Sequence, residues 1–277
     1  MRRIAVAFVL VLLVAIPANG QSVPRIEGEW VVLVREVFEA GTSDIYRVRP
    51  DGSELTNLTN GIAADYSPAL SPDGTKIAFS SALPEGGSAL FLMDVDGGNR
   101  RPITAEYADQ PDWSPDGQSI VFVDRSVDLA LMDSDGSNQR KLLETSDSER
   151  SPDWSPDGTR IVYTVDNGVG LSALFALTVA DLAVVRLSED ADLDSEPDWS
   201  PDGTTIAFVK LGFFDGGNIH EMNPDGTDRR VLVPSASNDF TPGWSPDGTR
   251  VVFEAVRDEG VAIVVFDLAT GTGVDIL

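Results

Sequence analysis

Through most of this chain, apolar residues come in short runs rich in β-branched and aromatic side chains, separated by turn-forming residues. The clearest are Ile77-Ala78-Phe79, Ile120-Val121-Phe122, Ile161-Val162-Tyr163, Ile206-Ala207-Phe208 and Val251-Val252-Phe253. A second run follows, as in Ala89 to Met93, Leu129 to Met132 or Ile219 to Met222, and often ends in a turn such as Asp94-Val95-Asp96-Gly97, Asp133-Ser134-Asp135-Gly136 or Asn223-Pro224-Asp225-Gly226. A shorter third run, Arg101 to Thr104 or Arg230 to Val233, precedes the next cycle. Runs this short, with this composition and these punctuating residues, predict strands and not helices.

Ahead of each first run stands Ser-Pro-Asp-Gly, at residues 71–74, 114–117, 155–158, 200–203 and 245–248, with spacings of 43, 41, 45 and 45. Proline presets a turn, aspartate bonds the backbone ahead of it, and glycine takes positive φ, so the tetrapeptide reads as a hairpin between an inner strand a and the first run, strand b. A period of about 40–45 residues is that of a four-stranded propeller blade. A worn copy precedes the first clear one: Trp30 to Val34 reads as strand b, Ile45 to Val48 as strand c, and Pro50-Asp51-Gly52 as their following turn. The expected fold is all-β, a six-bladed β-propeller of four-stranded antiparallel blades, filling residues 21–277 as one domain with units at about 24–60, 61–104, 105–145, 146–189, 190–234 and 235–277. Val261 to Leu268 and Gly273 to Leu277 supply strands c and d of blade six. Only Gln21 to Ile26 remains for strand a of blade one, so ring closure is expected from packing of blade one on blade six.

The first 20 residues break the pattern. Arg2 and Arg3, the apolar stretch Ile4 to Ile16 and Ala18-Asn19-Gly20 have the form of an export leader cleaved near Gly20. The stretch is short for a membrane span, and no cysteine is present for a lipid anchor or a disulfide. A periplasmic or secreted protein is expected, without a stable membrane anchor.

Charge narrows the partners. The chain carries 45 acidic against 20 basic residues, a formal charge of −25. Nucleic acid is an unfavourable partner for such a chain, whereas basic protein surfaces and cations are favourable ones.

Candidate sites follow from propeller geometry. Connections d to a and b to c emerge on one face, and the Ser-Pro-Asp-Gly and c to d turns on the other. On the first face Asp65, Asp109, Glu149, Asp194 and Asp239 open the inner strands and predict an acidic rim around the central opening. Phe213 and Phe214, in a b to c loop of the same face, are a candidate contact patch. Asp112, Asp153 and Asp198 each precede a tryptophan; if the tryptophans pack between blades, alternation turns the aspartates into the channel. Three neighbouring carboxylates there repel one another unless a cation, waters or raised pKa values relieve them, so a calcium or other cation in the channel is one expectation and no cofactor the other. Calcium at the Asp-x-Asp-Gly turns is disfavoured, because two carboxylates fall short of six to eight oxygen ligands. For catalysis there is no Gly-x-Ser-x-Gly elbow and no cysteine. His220, the one histidine, aligns with Phe91 inside strand c, a structural position.

The recurrent Pro-x-Trp-Ser-Pro-Asp-Gly, a strand of the form Ile-Ala-Phe, and Asp-x-Asp-Gly resemble the propeller repeat of the TolB family over residues 65–277. The resemblance implies an exported binding module of the cell envelope that takes protein partners, here without the family's N-terminal α/β domain. A metal-dependent propeller hydrolase or lactonase using channel carboxylates is the alternative that the same scaffold allows.

Overall fold

The computed structural model describes residues 11–14, 30–37, 42–61, 63–166, 171–189, 193–212, 216–235, 237–257 and 260–277. They form six four-stranded antiparallel sheets, each built from strands consecutive in the chain and ordered a-b-c-d from the axis outward, with no helix among them. The inner strands are Val11–Val14, Asp65–Leu70, Ala108–Trp113, Ser148–Trp154, Asp194–Trp199 and Asn238–Trp244. The predicted six-bladed propeller is the fold.

The Ser-Pro-Asp-Gly turns act as predicted. In the second blade the Gly74 amide donates to the Ser71 carbonyl at 2.8 Å, the Ser71 hydroxyl donates to Asp73 at 2.6 Å, and the Lys76 amide donates to the Ser71 hydroxyl at 2.9 Å. The five glycines have φ between 68° and 71°. The serine hydroxyls of Ser114, Ser155, Ser200 and Ser245 hold Asp116, Asp157, Asp202 and Asp247 below the usual carboxylate range, Asp247 down to about 2. This face therefore carries ionised aspartates whose charge is consumed in closing hairpins.

Cohesion comes from between the sheets. Trp113 packs with Ala69, Ala78 and Leu90 of blade two and with Ile120 and Met132 of its own blade, and Trp154, Trp199 and Trp244 sit in the equivalent clusters at the next three junctions. Burying each large apolar side chain of this kind contributes about 1.5–3 kcal/mol relative to exposure.

A second inter-blade contact lies at the c to d turns. A β-carbon on Gly136 would stand 2.4 Å from the Ile103 carbonyl oxygen of the preceding blade, and Gly97, Gly226 and Gly52 face Leu58, Leu187 and Ile276 in the same way. Gly136 has φ of 95° and Gly86, a loop glycine with nothing within 4 Å, has 94°. Gly136→Ala is accordingly expected to cost at least about 2 kcal/mol more than Gly86→Ala in urea unfolding, since both pay the same backbone strain and only one meets a neighbouring carbonyl. Equal losses would remove the junction's role.

Closure matches the expectation for blade six and departs from it in blade one. Blade six takes all four strands from residues 238–275. It meets blade one through Val31, Leu33, Val48, Val252, Ile263, Val265 and Ile276, and Gly52 repeats the glycine contact there. Among the described residues no strand is exchanged between them. Strand a of blade one is Val11–Val14, paired antiparallel with Val31, Val32, Leu33 and Trp30. These four residues come from the apolar stretch assigned to the leader, whereas Gln21 to Ile26, the expected strand, lies outside the described residues. An unbroken run of β-branched and aliphatic residues suits an inner strand as well as it suits a leader.

Candidate functional site

Five inner strands share a distortion. At Ser67, Gln110, Ser151, Glu196 and Thr241 the backbone takes φ of 48° to 53°, and the pairing with strand b slips by a bulge at each of these places. Each is followed by a proline: Pro68, Pro111, Pro152, Pro197 and Pro242. Non-glycine residues in this region cost of order 1 kcal/mol or more each, so the surrounding packing holds them there. The bulge re-aims the strand, turning these side chains to the axis.

Together they surround an axial cavity of about 610 Å³, also lined by Tyr66, Arg150, Thr164, Asp166, Ser172 and Ser195, with Asp112, Asp153 and Asp198 on its wall. Long side chains at the bulges bridge blades. The Ser151 amide donates to the Gln110 side-chain oxygen at 2.8 Å, and the Thr241 amide donates to Glu196 at 2.8 Å. Where the bulge residue is a serine it is too short to reach, and the Glu196 amide donates instead to the Thr164 hydroxyl at 3.2 Å.

The channel aspartates point where alternation put them, but they do not gather round an ion. Asp112 accepts the Trp154 amide at 2.9 Å, Asp153 the Trp199 amide at 2.6 Å, and Asp198 the Trp244 amide at 2.8 Å, each across a blade junction. Among the described residues no three or more His, Cys, Asp or Glu side chains are grouped to hold a metal ion. Asp112, Asp153 and Asp198, the candidate metal set, thus act as three inter-blade staples. Each keeps part of its surface open to the cavity and is otherwise surrounded by protein. Burial pushes Asp112 and Asp198 up to about 7, and burial followed by the charges of Asp198 and Asp112 pushes Asp153 well above the usual range. Raised pKa is one of the three reliefs expected for adjacent carboxylates.

The acidic rim does not form an exposed collar. Asp65, Asp194 and Asp239 are fully buried and Glu149 is 1% exposed, while Asp109 is half-buried. Asp65 receives a two-pronged bond from Arg100 at 3.0 and 2.8 Å, and that guanidinium lies 5.0 and 5.1 Å from the Phe79 and Phe91 ring centres. Blade five repeats the arrangement: Arg229 bonds Asp194 and lies 5.2 Å from the Phe208 ring, which pairs with His220 where blade two has Phe91. Blade three has Ala108 for the aspartate and Gln139 for the arginine, losing both partners together. In blades four and six Val184 and Gly273 stand in the arginine position. There hydroxyls take over: Thr145 donates to Glu149 at 2.6 Å and Ser237 to Asp239 at 2.8 Å, and burial pushes both carboxyls up. Asp109 accepts the Ser80 hydroxyl of the preceding blade at 2.6 Å and is also raised by burial. Phe213 and Phe214 lie outside the described residues. The cavity-lining serines, Gln110, Glu196 and Arg150 carried no motif and escaped the sequence reading; the one available signal was the residue ahead of each repeated proline.

A six-sheet ring around an axial cavity defines a propeller scaffold. The chain belongs to the TolB beta propeller domain family, whose model matches residues 22–168 and 124–275. It is 31% identical over 109 residues to an uncharacterized protein of Agrobacterium fabrum, covering 35% of this chain and 36% of that one. It is 46% identical over 61 residues to the Protein TolB homolog of Chlorobium luteolum, covering 22% of this chain and 14% of the homolog. The chain thus matches little more than a third of the first relative's length and a seventh of the second's. Its fold resembles the crystal structure of TolB from Acinetobacter baumannii with a TM-score of 0.77 at 21% identity, over 89% of this chain and 63% of that one.

Proposed function

We propose that this chain is an exported binding propeller of the cell envelope that receives a protein partner at the mouth of its axial cavity. The cavity carries the reading: it is large enough to admit side chains of a partner's loop, its wall mixes prolines and other apolar groups with polar side chains, and its walls are stiffened by bulges and inter-blade bonds, which lowers the ordering cost of binding. Membership of the family supports a periplasmic setting, as does the leader-like start of the sequence. The channel carboxyls are engaged by tryptophan amides, which favours binding over metal-dependent hydrolysis on this scaffold.

Ser195 lines the cavity, and Ser195→Trp fills part of it. Immobilised wild-type protein is expected to retain an envelope protein that Ser195→Trp releases, with the two melting alike. Equal retention by Ser195→Trp and by Ser172→Trp would place the binding surface elsewhere.

A further inference from the structure

In a ring of repeats, side chains that the scaffold needs recur in every unit. Proline after each bulge recurs, as does the turn tetrapeptide. The residue just ahead of each bulge does not: the five clear blades have Tyr66, Asp109, Arg150, Ser195 and Phe240 there. Packing accounts for some of these, since Asp109 is bonded to Ser80 and Phe240 lies against Gly217. Arg150 is different. It is the one lysine or arginine lining the cavity among the described residues, and its side chain is 55% exposed.

The neighbouring acids do not consume it. Asp112, Asp153, Asp198 and Glu196 accept backbone amides. Asp166, on the adjoining strand of the same blade, stands 3.6 Å from the guanidinium and is itself 34% exposed, an ion pair looser than a hydrogen bond. A guanidinium offers five N–H donors in a planar fork that fits a carboxylate in two-pronged fashion. The Ser195 and Ser172 hydroxyls line the same cavity and can complete such a contact. Resting on the cavity reading above, we propose that Arg150 is the specificity anchor of the axial cavity and takes an acidic side chain carried on a loop of the partner polypeptide. The partner's recognition loop is therefore acidic at its tip, despite the net negative charge of this chain, because the other carboxylates near Arg150 accept backbone amides or, at Asp166, stand too far off for a hydrogen bond.

Selection of random peptides displayed on phage tests this, using the full chain as bait and Ser195→Trp to discard peptides that bind outside the cavity. The recovered peptides are expected to share an Asp or Glu at one position and to bind Arg150→Gln about tenfold or more weakly, the loss typical of a charge-assisted bond. Arg150→Glu is expected to select Lys or Arg at that position instead. Cavity-dependent peptides without an acidic position, bound equally by Arg150→Gln, overturn the anchor and leave the cavity reading standing. If no peptide distinguishes wild type from Ser195→Trp, the cavity reading falls and the anchor with it. Arg150 is largely exposed, so the variants are expected to melt as the wild type does, which separates recognition from folding.

Discussion

Arg100→Gln is expected to destabilise the propeller by about 3–5 kcal/mol, because it leaves Asp65 buried and charged without its guanidinium. The double variant Asp65→Ala with Arg100→Gln is expected to regain most of that loss. It reproduces in blade two the pair Ala108 and Gln139 that blade three already uses, and removing both partners of a buried pair is far less costly than removing one. Urea unfolding of wild type, both single variants and the double variant gives the coupling directly. Additive losses in the double variant would show that the carboxylate and the guanidinium act independently, against the two-pronged geometry.

Asp153→Asn is expected to raise the melting temperature at pH 8 by roughly 3–8 °C, corresponding to about 1–3 kcal/mol for a chain of this length. In the fold Asp153 holds its proton well above the ordinary value of 3.8, through burial first and the charges of Asp198 and Asp112 next. A folded pKa above the unfolded one means that the native state binds more protons, so stability is full below about 4 and falls as pH rises towards the raised folded pKa. Asparagine keeps an acceptor for the Trp199 amide and has no proton to lose. His220 titrates in the opposite sense, since burial and then Lys210 and Arg229 lower it, and comparing variant with wild type at each pH cancels its contribution. Lower stability of Asp153→Asn at pH 8 would contradict this, and would bring a bound cation back into the channel.

How much of this was legible beforehand depended on the range of the interaction. Turn chemistry is local: Ser71, Asp73, Gly74 and Lys76 bond one another within five residues, so Ser-Pro-Asp-Gly could be read as a hairpin from its own letters. The tryptophan positions followed from alternation and the repeat. The fate of the acids could not be read that way. Whether Asp65 is a solvated rim residue or a buried ion pair is decided by Arg100, 35 positions along the chain, and the partner of Glu149 is the Thr145 hydroxyl in a blade with Val184 in the arginine position. The bulges were hidden for a different reason. A left-handed residue before proline runs against local preference, so no propensity argument places one at Ser67 or Gln110, and without the bulge the cavity lining cannot be assigned. The inner strand of blade one was ambiguous, as Val11–Val14 satisfies two patterns equally.

Sheets built from uninterrupted stretches of chain carry a consequence for how the molecule assembles. Each sheet can zip with little loop-closure entropy, and each new one can dock on its predecessor, as in other repeat architectures. One junction lacks that advantage: Val48 and Val252 meet across more than 200 positions of chain. Pairing them is the slow, long-range event, so the circle completes last during folding and parts there first in denaturant.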